Sequence, residues 1–289
     1  MTNLKTIRLC LGVNFRKWLV NPRIYALAIF IIAFLIYHQS GLSQFAGAHQ
    51  IGVTPWIFPH LTTAPVLQVF AIFAIILFSD APFEDNHMPF LMIRSGRRNW
   101  IIGQLFYIIL AAFIYTIFVF IVSVLALLPH LELSMEWVIV IQTLASGSQL
   151  PANVTVFANP HLITTFTGIE ATLLSLGLFW LVSSFIGILI SFFNIVVGKT
   201  TGLIAVGFVL FLSFFTIIEA RLALGHWVSY LSPVSWMSLS ALDWNDPNAW
   251  PSPSIGYAVS FLLIACFVMS VVAIHRYCQK DITFKTGGY

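Results

Sequence analysis

Charge is what this sequence has least of. Asp, Glu, Lys and Arg make up 8% of its 289 residues, whereas 59% are hydrophobic, including 27 phenylalanines. Globular domains carry roughly 25% charged residues, and a soluble chain of this length exposes too much surface to hide such an apolar excess. That excludes the soluble class and leaves an integral membrane protein. Cysteine is scarce too. Cys10, Cys266 and Cys278 form no CxxC or paired pattern, which leaves neither a disulfide framework nor a thiolate metal site. The chain also lacks a Gly-x-Ser-x-Gly elbow, a membrane-embedded Gly-Asp pair and an aspartate-rich prenyl or phosphoalcohol motif, so no catalytic set assembles.

The apolar residues are organised into long runs. A spanning helix needs about 20 mostly apolar residues, and six stretches approach or meet that length: about Ile24 to His38, His60 to Ser79, Trp100 to Leu128, Ile169 to Phe193, Thr201 to Ile218, and Ile255 to His275. Runs of this kind exclude the alternation of a β-barrel, so the expected fold is all-α and polytopic, with six transmembrane helices. Orientation follows from the cations. Lys5, Arg8, Arg16, Lys17, Arg23, Arg94, Arg97, Arg98, Lys199, Arg276, Lys280 and Lys285 all fall on one side, and Arg221 alone on the other. Glu132, Glu136, Glu219, Asp243 and Asp246 sit opposite. Both termini are therefore expected in the cytoplasm, and the chain in the cell (cytoplasmic or inner) membrane. The basic N-terminal region is too long for a cleaved signal peptide.

Residues 1–22 read as an amphipathic interfacial helix, because Leu4, Ile7, Leu11, Phe15 and Trp18 share one helical stripe. The transmembrane domain occupies residues 23–289. Its outer segments, 129–168 and 219–254, are too long for simple turns. The first, with "SGSQLPANVT" and a sequon at Asn153, suggests an irregular excursion with one short helix. The second, "RLALGHWVSYLSPVSWMSLSALDW", suggests two short helices dipping back toward the membrane, since Trp and Tyr favour the interface.

Three features invite chemical readings. Gly198-Lys199-Thr200 resembles the end of a phosphate-binding loop, but Phe193 stands where the first glycine belongs, so a tight basic turn is expected. Six of the eight histidines, His38, His49, His60, His130, His161 and His226, scatter over outer segments without a ligand-pair spacing. Glu170, near the outer start of the fourth run, is a candidate intramembrane polar site; it also suits a helix N-terminus capped by Thr167.

The densest charge lies in the second-to-third loop, residues 80–100, where Asp80, Glu84, Asp85, Arg94, Arg97 and Arg98 flank "MPFLMI". Gly96 ends a candidate short helix. Orientation accounts for the arginines, but not for Met88, Phe90, Leu91, Met92 and Ile93 between the charges. Burial against another protein does.

Six runs, an amphipathic first helix, acids then "MPFLMIRSGRRNWIIGQ" from Met88 to Gln104, and "YLSPVSWM" at 230–237 together resemble the type-two ABC exporter permeases. The resemblance covers nearly the whole chain. It implies a permease subunit paired with a second, same or homologous permease and with separate ATPase chains that carry ATP and Mg. This chain itself is expected to bind no cofactor and no nucleic acid and to catalyse nothing. The implied coupling helix, which would dock on the ATPase, comprises Glu84, Asp85, Met88, Phe90, Leu91, Ile93, Arg94, Arg97 and Arg98. The second and fifth spans would face the permease seam, making Gln68, Phe70, Phe208 and Phe215 pathway candidates for a hydrophobic peptide, drug or lipid. Two other readings stand beside this one: a sensor or assembly factor holding a cytoplasmic partner by the same loop, and an intramembrane enzyme using Glu170 and the outer histidines.

Overall fold

Backbone groups placed in hydrocarbon have no water to bond, so they must be satisfied within the segment, and helices do this locally. The computed structural model describes residues 3–83, 88–134, 136–146, 153–216, 225–244 and 251–279, and these fold as helices joined by turns. Among the described residues there is no strand, and two isolated bridges pair Val53 with Leu131 and Asp243 with Ser254. The chain runs through α1 (Leu4–Trp18), α2 (Pro22–His49), α3 (Phe58–Leu61), α4 (Val66–Phe78), α5 (Met88–Ser95) and α6 (Arg97–Leu125). It continues through α7 (Ile139–Ser146), α8 (Pro160–Thr165), α9 (Gly168–Val196), α10 (Thr201–Phe214) and α11 (Ile255–Gln279).

Four of these helices, α2, α6, α9 and α11, are long and apolar enough to cross a membrane, which makes the chain a multi-pass membrane protein. Three match the predicted runs to within a few residues. The fourth, α2, continues well past His38 to His49. The polar residues that end its apolar run belong to a helix face: Gln39, Leu42 and Ala46 recur at helical spacing and are fully buried. The helix stops where Gln50 turns left-handed, at φ 53°.

The other two runs are helical but short. Residues Thr62–Pro65 interrupt the second, so that α3 makes one turn and α4 spans 13 residues. The fifth run gives the 14 residues of α10. At 1.5 Å per residue each covers roughly 20 Å, against about 30 Å of bilayer hydrocarbon. The 3-10 turn Pro233–Met237 packs on both, with His226–Leu231 beside α10 and Leu239–Ala241 beside α9, and these three turns stand in place of the two short helices expected there. Serine hydroxyls that compete for the backbone favour these tighter turns. Ser232 Oγ and Ser235 Oγ lie 2.7 Å apart, and Ser235 Oγ meets Thr216 Oγ1 of the α10 end at 3.0 Å. Val234, Trp236, Met237 and Leu239 are fully buried beneath.

Helix α9 is the hub. It packs on α4, α6, α10, α11 and the Pro233–Met237 turn, and 67% of its apolar window is buried, against 17% for α11. Small residues allow the close approach, as is usual between helices in lipid. At Gly187 a Cβ would meet Ile108 Cγ2 of α6 at 2.5 Å and the Phe78 ring of α4 at 3.0 Å. Ser175, Ser183, Ser184 and Ser191 share this buried surface.

Helix α1 is anchored more firmly than a surface helix. Ile7, Cys10 and Asn14 are buried against α6. Asn14 Nδ2 donates to Gln104 Oε1 at 2.6 Å, and Trp18 Nε1 to the Tyr107 hydroxyl at 2.5 Å. Leu4, the first residue of the predicted stripe, is exposed instead, while Leu11, Phe15 and Trp18 are partly buried. The expected stripe is thus rotated, with Cys10 and Asn14 joining the packed face.

The helix ends sort the charges. The starts of α2 and α6 and the ends of α4, α9 and α11 lie together: Arg23 Nη1 donates to Ser79 Oγ, Asn194 Nδ2 to the Ala81 carbonyl, and Trp100 stacks on Tyr277. Every described lysine and arginine sits at this end, on α1, α2, α5, α6, the α9–α10 turn or the end of α11. Glu132, Glu136, Glu170 and Asp243 lie at the other.

Candidate docking site at the basic end

Helix α5 begins after a segment rich in acids and stops at Gly96, whose φ of 76° is left-handed backbone that suits glycine. Three ties hold it. Met92, 6% exposed, packs with Cys10, Trp100, Ile101, Ile195, Ala273 and Tyr277, and the Tyr277 hydroxyl donates to its Sδ at 3.5 Å. Asn99 Nδ2 donates to the Ser95 carbonyl at 2.8 Å, while Asn99 Oδ1 accepts from the Asn3 backbone N–H at 3.1 Å. Ser95 Oγ closes the last turn on the Leu91 carbonyl at 2.7 Å. One short helix therefore touches α1, α6 and α11 together.

Among the described residues its opposite side is exposed. Phe90 is 70% exposed and Ile93 79% exposed. Arg94, Arg97 and Arg98 are exposed beside them. Burying an apolar side chain of this size contributes about 1.5–3 kcal/mol, so two exposed ones beside three cations make this face a candidate docking surface. Leu91 does not belong to that outward pair; it is partly buried against the Met92 cluster. Glu84, Asp85 and the side chain of Met88 lie outside the described residues.

The predicted pathway residues do not come together. Gln68 is buried, with Nε2 donating to the Ser213 carbonyl of α10 at 3.4 Å and Oε1 without a partner. Phe70 is fully buried, edge-on to Phe34 and Phe179. The exposed residues of α4 are Ile72 and Ile76, on another face. Phe208 is 61% exposed and shares an outward stripe of α10 with Ile204 and Phe211; Phe215 is partly buried and edge-on to Phe211. Helix α4 is enclosed by α2, α6, α9, α10 and a 3-10 turn, so two residues chosen from its length both point inward.

Glu170 lies in an exposed capping box at the start of α9, where its Oε2 accepts from the Thr167 N–H at 3.0 Å and Thr167 Oγ1 accepts from the Glu170 N–H at 3.4 Å. The structure places it at a helix terminus rather than in the apolar interior. Gly198 and Lys199 form the α9–α10 turn; there Asn194 Oδ1 accepts from the Gly202 N–H at 2.8 Å. The outer histidines do not converge. His60 is enclosed near Trp137, with both ring nitrogens unpartnered, while His38 bonds Thr155. Among the described residues no group of three or more His, Cys, Asp or Glu could hold a metal ion.

Sequence reasoning missed the polar contacts that fix the basic end: Asn14 with Gln104, Asn99 with Asn3 and Ser95, and Arg23 with Asp80 at 2.6 Å. Their signal was an amide inside an amphipathic stripe and another inside an apolar run. No protein-family model matches the chain, and neither a curated protein nor a solved structure is significantly similar to it.

Proposed function

We propose that the chain is the permease subunit of an ATP-driven exporter, working with a second permease subunit and with separate ATPase chains that bind ATP and Mg. The observation that carries this reading is α5: Phe90 and Ile93 face outward while Met92 is wedged against Trp100 and Tyr277. A partner gripping the outer pair would push on α1, α6 and α11 at once. Closure of ATPases on this helix would then bias the bundle between inward- and outward-open states.

The charge sorting supports the orientation this requires, since cations near span ends stay in the cytoplasm. In this reading α4 and α10, each completed by turns at its outer end, join α2, α6, α9 and α11 to make six spans in the cell membrane, with α1 at its inner face. The outward stripe of Ile204, Phe208 and Phe211 on α10 suits a permease seam or lipid, and a hydrophobic or amphipathic substrate. Gln68 and Phe70 are too enclosed to line a pathway in this state.

The test is co-purification of the tagged chain from its own membranes, read by ATP hydrolysis in the purified complex. Phe90→Asp with Ile93→Asp is expected to abolish the associated ATPase activity while the chain stays in the membrane. Unchanged activity sinks the docking assignment. A partner lost with these substitutions but unable to hydrolyse ATP would favour a sensor or assembly factor.

A further inference from the structure

A cavity of about 190 Å³ is sunk into the side of the bundle between α2, α4 and α6. Leu27 and Ile31 of α2, Leu77 of α4 and Tyr115 of α6, all buried, form its floor. Its rim is made by the half-buried Ile24, Ala28 and Phe118 and the exposed Ile114. Trp18, the last residue of α1, completes the lining.

Nothing polar is on offer inside it. The two polar side-chain atoms of the lining are engaged elsewhere: Trp18 Nε1 donates to the Tyr107 hydroxyl at 2.5 Å, and the Tyr115 hydroxyl to the Phe70 carbonyl at 2.9 Å. A buried water needs polar partners, and apolar cavities of about 150 Å³ stay dry and take up small apolar molecules instead. The mouth opens between α2 and α6, both long and apolar enough to cross a membrane. Tyr25 and Ile29 beside it on α2, and Leu110 and Phe113 on α6, are exposed. In a multi-pass protein such a surface meets lipid, so the cavity is continuous with the bilayer hydrocarbon. Trp18 at its edge suits the headgroup level.

We propose that this cavity holds one acyl chain of a phospholipid from the leaflet at the basic end. The chain enters between α2 and α6 and lies against Leu77 of α4, beneath the surface that bulk lipid covers. It supplies Ile31, Leu77 and Tyr115 with the dispersion contacts that empty space would deny them. Recognition is of hydrocarbon alone, and the headgroup takes no part in it. The site does not depend on the transport reading.

The full chain is reconstituted in vesicles of phosphatidylcholine containing a small share of phosphatidylcholine with a diazirine midway along one acyl chain. After irradiation, mass spectrometry of the digested chain locates the adducts. They are expected on Ile31 and Leu77, which bulk lipid cannot reach, as well as on the exposed Ile264 and Phe267 of α11. Leu35, as buried as Ile31 and one turn further along α2 but outside the cavity, should carry none. Ala28→Trp fills the cavity and abolishes the Ile31 and Leu77 adducts while leaving those on α11. Ile114→Trp, at the exposed rim, covers the mouth with the same result, which keeps the test decisive if Ala28→Trp fails to fold. Absence of adducts on Ile31 and Leu77 in the unaltered chain, or their persistence in either folded variant, overturns the proposal. Labelling of Leu35 as strong as that of Ile31 means that lipid enters the bundle generally, and overturns it too. A short diazirine-bearing alkane that labels Ile31 and Leu77 where the phospholipid does not assigns the cavity to a small free apolar molecule, which likewise overturns it.

Discussion

The two ends of the helix bundle solve the same problem with different materials. At the basic end, polar side chains of one element reach another: Asn14 to the Gln104 side chain, Arg23 to the Asp80 carboxylate, and Asn99 to the Asn3 backbone N–H. At the far end, tryptophan indoles reach backbone carbonyls of turns. Trp56 donates to Ser134, Trp137 to Phe166, Trp236 to Ser229 and Trp244 to Leu239, at 2.7–2.9 Å. A side chain bonded to a backbone carbonyl holds a loop in place and takes up one of that loop's acceptors. Side chains paired with side chains, and cations left exposed around them, can be repartnered. In the proposed reading the basic end is the one that meets a partner, and the far end the one that stays closed.

The largest effect should come from asking which end faces which compartment. In a chain with Cys10, Cys266 and Cys278 replaced by serine, Ile93→Cys and Glu132→Cys should label from opposite sides of sealed vesicles with a membrane-impermeant maleimide. Residue 93 should react from the cytoplasmic side, as the cation bias requires. Labelling of both from one side would collapse the distinction between the ends.

Next is Trp236→Ala at the sealed end. The indole is fully buried and edge-on to Tyr257 and Phe261 at 5.7 and 5.3 Å. Its truncation should cost about 3–5 kcal/mol, the range for a buried aromatic, read as a loss of thermal stability in detergent. Helix α5 lies at the other end, so the docking proposed for Phe90 and Ile93 should survive in whatever protein remains folded.

Much of this architecture is legible in sequence, and the reason differs by element. Helices α6, α9 and α11 are uninterrupted apolar runs, so composition alone locates them. Gly96 and the charges around it announce α5. The extension of α2 is hidden because Gln39 counts against an apolar window although it is fully buried. The shortness of α4 and α10 is hidden for the opposite reason: apolar count does not register that a chain has left the helix and entered turns that are equally apolar. Which face of α5 points outward is set by Trp100 and by Tyr277, nearly two hundred residues later in the chain, and no local pattern around Met92 reports it.

A smaller effect tests the polar fastening of α1. Asn14→Ala leaves the buried Gln104 amide without its partner and should cost about 1–3 kcal/mol. Replacing both amides by leucine should recover much of that loss, because no buried amide is then left unpaired. If the double variant is no more stable than the single one, then α1 is held by Ile7, Cys10 and Trp18, and the two ends differ less than their hydrogen bonds suggest.

The smallest effect belongs to the most conspicuous contact. Arg23 and Asp80 are 2.6 Å apart, with side chains 29% and 64% exposed. A carboxylate that open is rehydrated when its partner goes, and exposed ion pairs contribute roughly 0–1 kcal/mol, less in salt. Arg23→Gln also removes the buried Nε that has no acceptor, which offsets part of the loss. Unfolding in detergent should therefore shift by under about 1 kcal/mol, and by less still at high ionic strength. A larger, salt-independent loss would mean that the pair fastens α2 to the turn after α4 as tightly as the indoles fasten the far end. The basic end would then be a closed structure too.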